Sequence, residues 1–66
     1  MVNKLKELRY RRMMSASELS RRSGVSRQTI WKIEHEPNKK VRSDTMFALA
    51  KALDYQVSEI FFTQDV

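Results

Sequence analysis

The chain has no cysteine, and only one glycine, one proline and one histidine, in 66 residues. Without cysteine there is no disulfide framework and no thiol nucleophile, which agrees with a reducing cytoplasm. His35 alone leaves too few donors for a zinc site, so neither a metal nor a cofactor is expected. No apolar run approaches the roughly 18 residues that a membrane span needs. The opening "MVNKLKELRY" has no apolar core followed by small residues, so it does not read as a signal peptide. Cytoplasmic residence and no membrane partner are the expectations. Glu34 and Glu36 fall on different faces of a helix, so they do not form an acid–base pair, and no enzyme is expected.

Charge is present and unevenly spread. The formal net charge is +5 and the pI is about 10.0. From Met1 to Arg42 there are twelve Lys/Arg and four Asp/Glu, a local +8; from Ser43 to Val66 there are one and four, a local −3. A basic front and an acidic rear suit a polyanion bound in one orientation. The length gives a single domain over residues 1–66. Such a domain buries only about 60% of its unfolded surface, so its stability margin is thin.

With β-branched runs missing, the hydrophobic spacing predicts an all-α chain of five short helices. The first runs from about Asn3 to Met13, with Leu5, Leu8 and Arg9 on its inner stripe. Ser15 reads as an N-cap, and Glu18 three residues on completes a capping box. The second helix, about Ala16 to Ser23, turns Leu19 inward and ends at Gly24, where a positive φ is usual. Val25 plugs the turn, and Ser26 caps a third helix over about Arg27 to His35. Glu36-Pro37-Asn38 breaks it, because proline cannot continue a helical ladder. After the basic loop "PNKKVR", Ser43 or a neighbour caps a fourth helix over about Asp44 to Leu53, carrying Met46, Leu49, Ala50 and Leu53 inward. A last helix covers Val57 to Phe62, with Val57, Ile60 and Phe61 turned in.

The second and third helices carry the functional signal. A helix-turn-helix needs a small residue where the helices cross, a glycine to turn, and apolar residues on either side. Leu19, Ser20, Gly24, Val25, Ile30 and Ile33 meet those demands together, while Ser23 stands where an apolar residue is common. At about 100° per residue, Ile30 and Ile33 share one face of the third helix, and Arg27, Gln28, Trp31 and Lys32 fall on a neighbouring one. Arginine can hold guanine O6 and N7 with two hydrogen bonds, and glutamine can do the same for adenine N6 and N7. An indole can pack on a thymine methyl or give its N–H to a phosphate.

"LKELRYRRMMSASELSRRSGVSRQTIWKIE" followed by "SDTMFALAKALDYQVSEIF" resembles the Cro/CI-type (XRE) helix-turn-helix regulators, over about residues 4 to 61. The resemblance implies a five-helix, lambda-repressor-like DNA-binding domain, bound as a dimer to a pseudo-palindromic operator in double-stranded DNA. It implies that Arg27, Gln28, Trp31 and Lys32 meet base edges in the major groove. It assigns phosphate contacts to Ser15, Ala16 and Ser17 at the start of the second helix, to Ser26 and Thr29 on the third, and to Lys39, Lys40 and Arg42 in the loop. Relatives often carry glutamine where Ala16 stands, so at that position only the main-chain N–H can serve. Arg9 and Glu34 match positions where an ion pair links the first and third helices.

His35 at a helix end reads as a dipole partner or phosphate contact. The acidic rear carries Phe47, Tyr55, Phe61 and Phe62, more aromatic rings than so small a core absorbs. Self-association through Phe47, Phe61 and Phe62 is therefore expected. The leading expectation is a sequence-specific repressor that occludes polymerase and is controlled by its own concentration or by a protein partner, since the chain has no room for an effector domain. The alternative is a protein-interaction module, an antitoxin-like partner binder, using those C-terminal aromatics. A membrane-surface peptide is disfavoured by the breaks at Gly24 and Pro37.

Overall fold

The computed structural model describes residues 3–36 and 40–61. Their helices are α1 Leu5–Arg11, α2 Ala16–Ser23, α3 Arg27–His35, α4 Ser43–Leu53 and α5 Val57–Phe61, and no strand occurs among the described residues. Local signals fix the central pair. The Ser15 hydroxyl accepts the Glu18 N–H, and the Ser26 hydroxyl accepts the Thr29 N–H, so each helix opens on a satisfied cap. Gly24 sits in the left-handed region at φ +77°, where its N–H closes α2 onto the Ser20 carbonyl.

One core serves all five helices. Leu5, Leu8 and Met14 meet Leu19, Ile30 and Ile33 from α2 and α3, and Leu49, Ala50, Leu53, Ile60 and Phe61 close it from α4 and α5. Each such aliphatic or aromatic side chain contributes about 1.5–3 kcal/mol of apolar burial, against a comparable entropy cost of ordering the chain. α2 packs on both α3 and α4, while α1 bridges α3 and α5. The Lys4 N–H also donates to the Ile60 carbonyl at 2.8 Å, tying the entry to α1 onto α5.

The structure corrects several expectations. α1 stops at Arg11, two residues early, because Met13 takes a left-handed φ of +55° and the N–H groups of Arg12, Met13 and Met14 fold back onto α1 carbonyls. The capping box at Ser15 is half made: Glu18 does not reach back to the cap but binds Arg21 and Arg22. α4 begins at Ser43, one residue early, so the cap position falls to its neighbour Arg42, which makes no side-chain cap hydrogen bond. Phe61 is wholly enclosed by the chain's own core, so it has no surface to give to a dimer face. Phe47, by contrast, is 65% exposed. Pro37, Asn38, Lys39 and Phe62 lie outside the described residues.

Candidate nucleic-acid interface

α3 is anchored by one face and free on the other. Ile30 and Ile33 are buried to within 1% of full enclosure, whereas Arg27, Gln28 and Trp31 are exposed and Lys32 is half-buried. The register of the helix is held from below by α1. Arg9 Nε donates to Glu34 Oε2 at 2.8 Å, and Arg9 Nη2 donates to Oε1 at 3.1 Å. A third donor, Nη1, reaches the Met14 carbonyl at 2.9 Å. The two side chains retain only 8% and 3% of their exposure. Hydrogen bonding to Glu34 raises the Arg9 pKa further, so the cation is permanent. Asn3 adds a second tie between the same helices: its Nδ2 donates to the Ile33 carbonyl at 2.9 Å while its Oδ1 accepts the Leu5 N–H. The angle of α3 is thus set by polar bonds that need specific geometry, and not by apolar packing alone.

Above this pair lies an open groove between α1, the start of α2 and the outer face of α3. All four residues assigned to base edges, Arg27, Gln28, Trp31 and Lys32, line it, together with Ala16 and Ser17. Arg27 Nη1 donates to Ser17 Oγ at 2.9 Å, so a side chain at the start of α3 is bonded to one at the start of α2. A guanidinium has five N–H donors, which leaves four for a base edge. The first amides of α2, those of Ala16 and Ser17, have no intrahelical acceptor and point with the positive end of the helix dipole, as anion sites do.

A separate hollow on the α3–α4 side gathers Thr29, Lys40 and Arg42. Thr29 is partly committed there, because the Ser26 hydroxyl donates to its Oγ1 at 2.9 Å. Arg42 faces Asp44 at 3.2 Å in an exposed pair that leaves its charge open to solvent. Ser15 and Ser26 line neither hollow; both hydroxyls are engaged as helix caps.

Sequence reasoning missed two residues. Lys6 and Tyr10, exposed on α1, line the same groove as Trp31. The Arg9 guanidinium stacks 4.7 Å from the centroid of the Tyr10 ring, which positions that ring over the buried ion pair. The available signal was helical phase: Lys6 and Tyr10 are four residues apart and flank the inward Arg9. His35 does more than face a helix end. Its Nδ1 lies 2.9 Å from the Trp31 carbonyl, and its ring stacks on the indole.

Arg21 and Arg22 are not free basic groups, since both bind Glu18, and those bonds lower the Glu18 pKa, Arg21 first. Among the described residues no helix is long and apolar enough to cross a membrane.

The sequence matches the family described as the Cro/C1-type HTH DNA-binding domain over residues 4–65, and the chain belongs to that family. Among curated proteins none matches it.

Proposed function

We propose that this Cro/C1-type helix-turn-helix chain is a sequence-specific transcriptional regulator, a repressor that occupies an operator in double-stranded DNA through α3. The carrying observation is the split personality of that helix: Ile30 and Ile33 are locked in the core while Arg27, Gln28 and Trp31 stand in solvent around one groove. A face with a guanidinium, an amide and an indole is wrong for packing and right for major-groove readout, where each bidentate pair discriminates by about 1–3 kcal/mol.

Arg27, Gln28, Trp31 and Lys32 meet base edges. Ser15, Ala16, Ser17, Ser26, Thr29, Lys39, Lys40 and Arg42 hold the backbone. With about five phosphates neutralised per subunit, log affinity falls against log salt with a slope near −4 to −5. The protein performs no chemistry of its own and works in the cytoplasm.

Two copies bind a pseudo-palindrome, with recognition helices about 34 Å apart, one turn of duplex. Support for self-association comes from Phe47, exposed beside Ala50, Tyr55 and Val57 in a shallow apolar hollow on α4 and α5. The test is selection of bound duplexes from a random pool at about 150 mM salt, near physiological ionic strength. A recovered motif with two half-sites about 10 base pairs apart supports both specificity and the dimer. Recovery of unrelated sequences, bound no better than random duplex, overturns the reading.

A further inference from the structure

The chain has one tryptophan and one histidine, and the structure joins them. Trp31 and His35 stand four residues apart on α3, hence on one face of the helix. Their rings stack with centroids 4.3 Å apart and planes 9° from parallel. His35 Nδ1 lies 2.9 Å from the Trp31 carbonyl oxygen. A carbonyl only accepts, and its second lone pair is available beside the helical hydrogen bond, so Nδ1 is the protonated nitrogen that donates. That bond fixes the plane of the imidazole, and the imidazole in turn fixes the plane of the indole. The core gives the indole little other restraint, because 55% of Trp31 is exposed.

We infer that His35 is a positioning residue for nucleic-acid recognition: it clamps the Trp31 indole in one orientation before DNA arrives. The inference rests on the reading of α3 as the helix that enters the groove. His35 itself reads no base. It removes an ordering cost that an exposed indole otherwise meets on binding, worth about threefold to tenfold in affinity.

Because Trp31 is the only tryptophan, its fluorescence reports the clamp without interference. Time-resolved indole anisotropy in the free protein compares His35→Ala and His35→Phe with the unaltered chain, and titration with the labelled duplex selected from the random pool compares those two and Trp31→Ala. In His35→Ala the indole gains fast local motion and affinity drops about threefold to tenfold. His35→Phe, which keeps a flat ring to stack on, restores most of both. Thermal midpoints of all variants stay within a few degrees of the original, since both residues are exposed. An indole equally immobile in His35→Ala, or affinity unchanged there, overturns the inference, as does a His35→Phe variant as weak as His35→Ala. Trp31→Ala separates this inference from its parent. If the chain prefers its selected duplex and Trp31→Ala binds it equally well, the clamp has nothing to position: this inference falls, together with the base contact proposed for Trp31, while the regulator reading stands. If the unaltered chain prefers no duplex, both fall.

Discussion

Arg9 and Glu34, 25 residues apart in sequence, meet as a two-bond ion pair beneath the groove, at 2.8 and 3.1 Å. Both are almost wholly screened from water. Such a pair adds little net stability, because desolvation offsets the Coulomb gain, yet removing one partner strands a buried charge and costs about 3–5 kcal/mol. A domain of this size has on the order of 3–10 kcal/mol in all. Glu34→Ala is therefore expected to be largely unfolded at 37 °C by circular dichroism. The paired change Arg9→Met with Glu34→Leu should recover most of the melting temperature while binding DNA more weakly, because α3 loses its fixed angle. A double variant as unstable as the single one would show that the pair itself, and not the orphaned charge, carries the stability.

The turn between α2 and α3 makes a sharper backbone prediction. Gly24 sits at φ +77°, and a Cβ added there meets nothing within 4 Å. The cost of Gly24→Ala is therefore conformational only, about 1–2 kcal/mol. Gly24→Asn should cost less, because asparagine visits the left-handed region more readily. Urea unfolding of the two variants checks the order. Equal losses would mean that side-chain bulk, and not φ, is limiting.

That turn also explains how much was legible in the sequence. The bounds of α2 and α3 follow from Ser15, Gly24 and Ser26, each of which acts on amides within a few residues of itself. Where the deciding partner is distant, the sequence is silent. Arg12 donates to the Leu53 and Asp54 carbonyls, 41 and 42 residues away, and stacks on Tyr55, which no local pattern announces. Where a residue breaks the usual preference, the sequence misleads. Met13 enters the left-handed region without being glycine and so shortens α1. Helical phase turns Phe61 inward, in agreement with its full burial, whereas the surplus of aromatic rings points it to an interface that it does not reach, because its volume closes the core. In the groove, the outward set on α3 was legible from periodicity, while the α1 wall of Lys6 and Tyr10 needed the packing of α1 beside α3.

Glu18 carries a pH dependence whose direction follows from its partners. Hydrogen bonds from Arg21 and then Arg22 lower its pKa below the ordinary value. The folded state thus favours the carboxylate. The associated stability is present above the unfolded pKa and is lost as pH falls through the lower, folded value. The pair is solvent-exposed and salt-screened, so the effect is small. Side-chain NMR titration should place the Glu18 midpoint higher in a chain carrying Arg21→Gln and Arg22→Gln. Any gap in melting temperature between the two chains should close in acid and in high salt. A gap that persists below the folded pKa would assign it to helix propensity instead.

Base readout and folding should separate at Arg27 and Gln28. Both side chains are exposed, and the one hydrogen bond Arg27 makes, to Ser17, is at the surface. Arg27→Ala and Gln28→Ala are expected to change stability by no more than about 0.5 kcal/mol. Each should flatten sequence preference at one position of the half-site by about 1–3 kcal/mol. Competition binding against single-base operator variants measures that preference. If Gln28→Ala unfolds the chain, the outward face of α3 has been misassigned.

Lys40 makes the complementary case. It is exposed, lines the hollow with Thr29 and Arg42, and stands away from the groove that holds Arg27 and Gln28. A lysine at such a place offers a point charge without the planar fork that reads a base edge. Its loss should weaken binding to operator and to random duplex by the same factor, leaving their ratio intact. Removing one phosphate contact also makes the plot of log affinity against log salt shallower by about 0.9 per subunit. Titrations at several salt concentrations with both duplexes give slope and ratio together. A changed ratio with an unchanged slope would move Lys40 from the phosphate side of the interface to the base side. Because the charge acts through counterion release, Lys40→Arg should restore the slope even where its different shape fails to restore the full affinity.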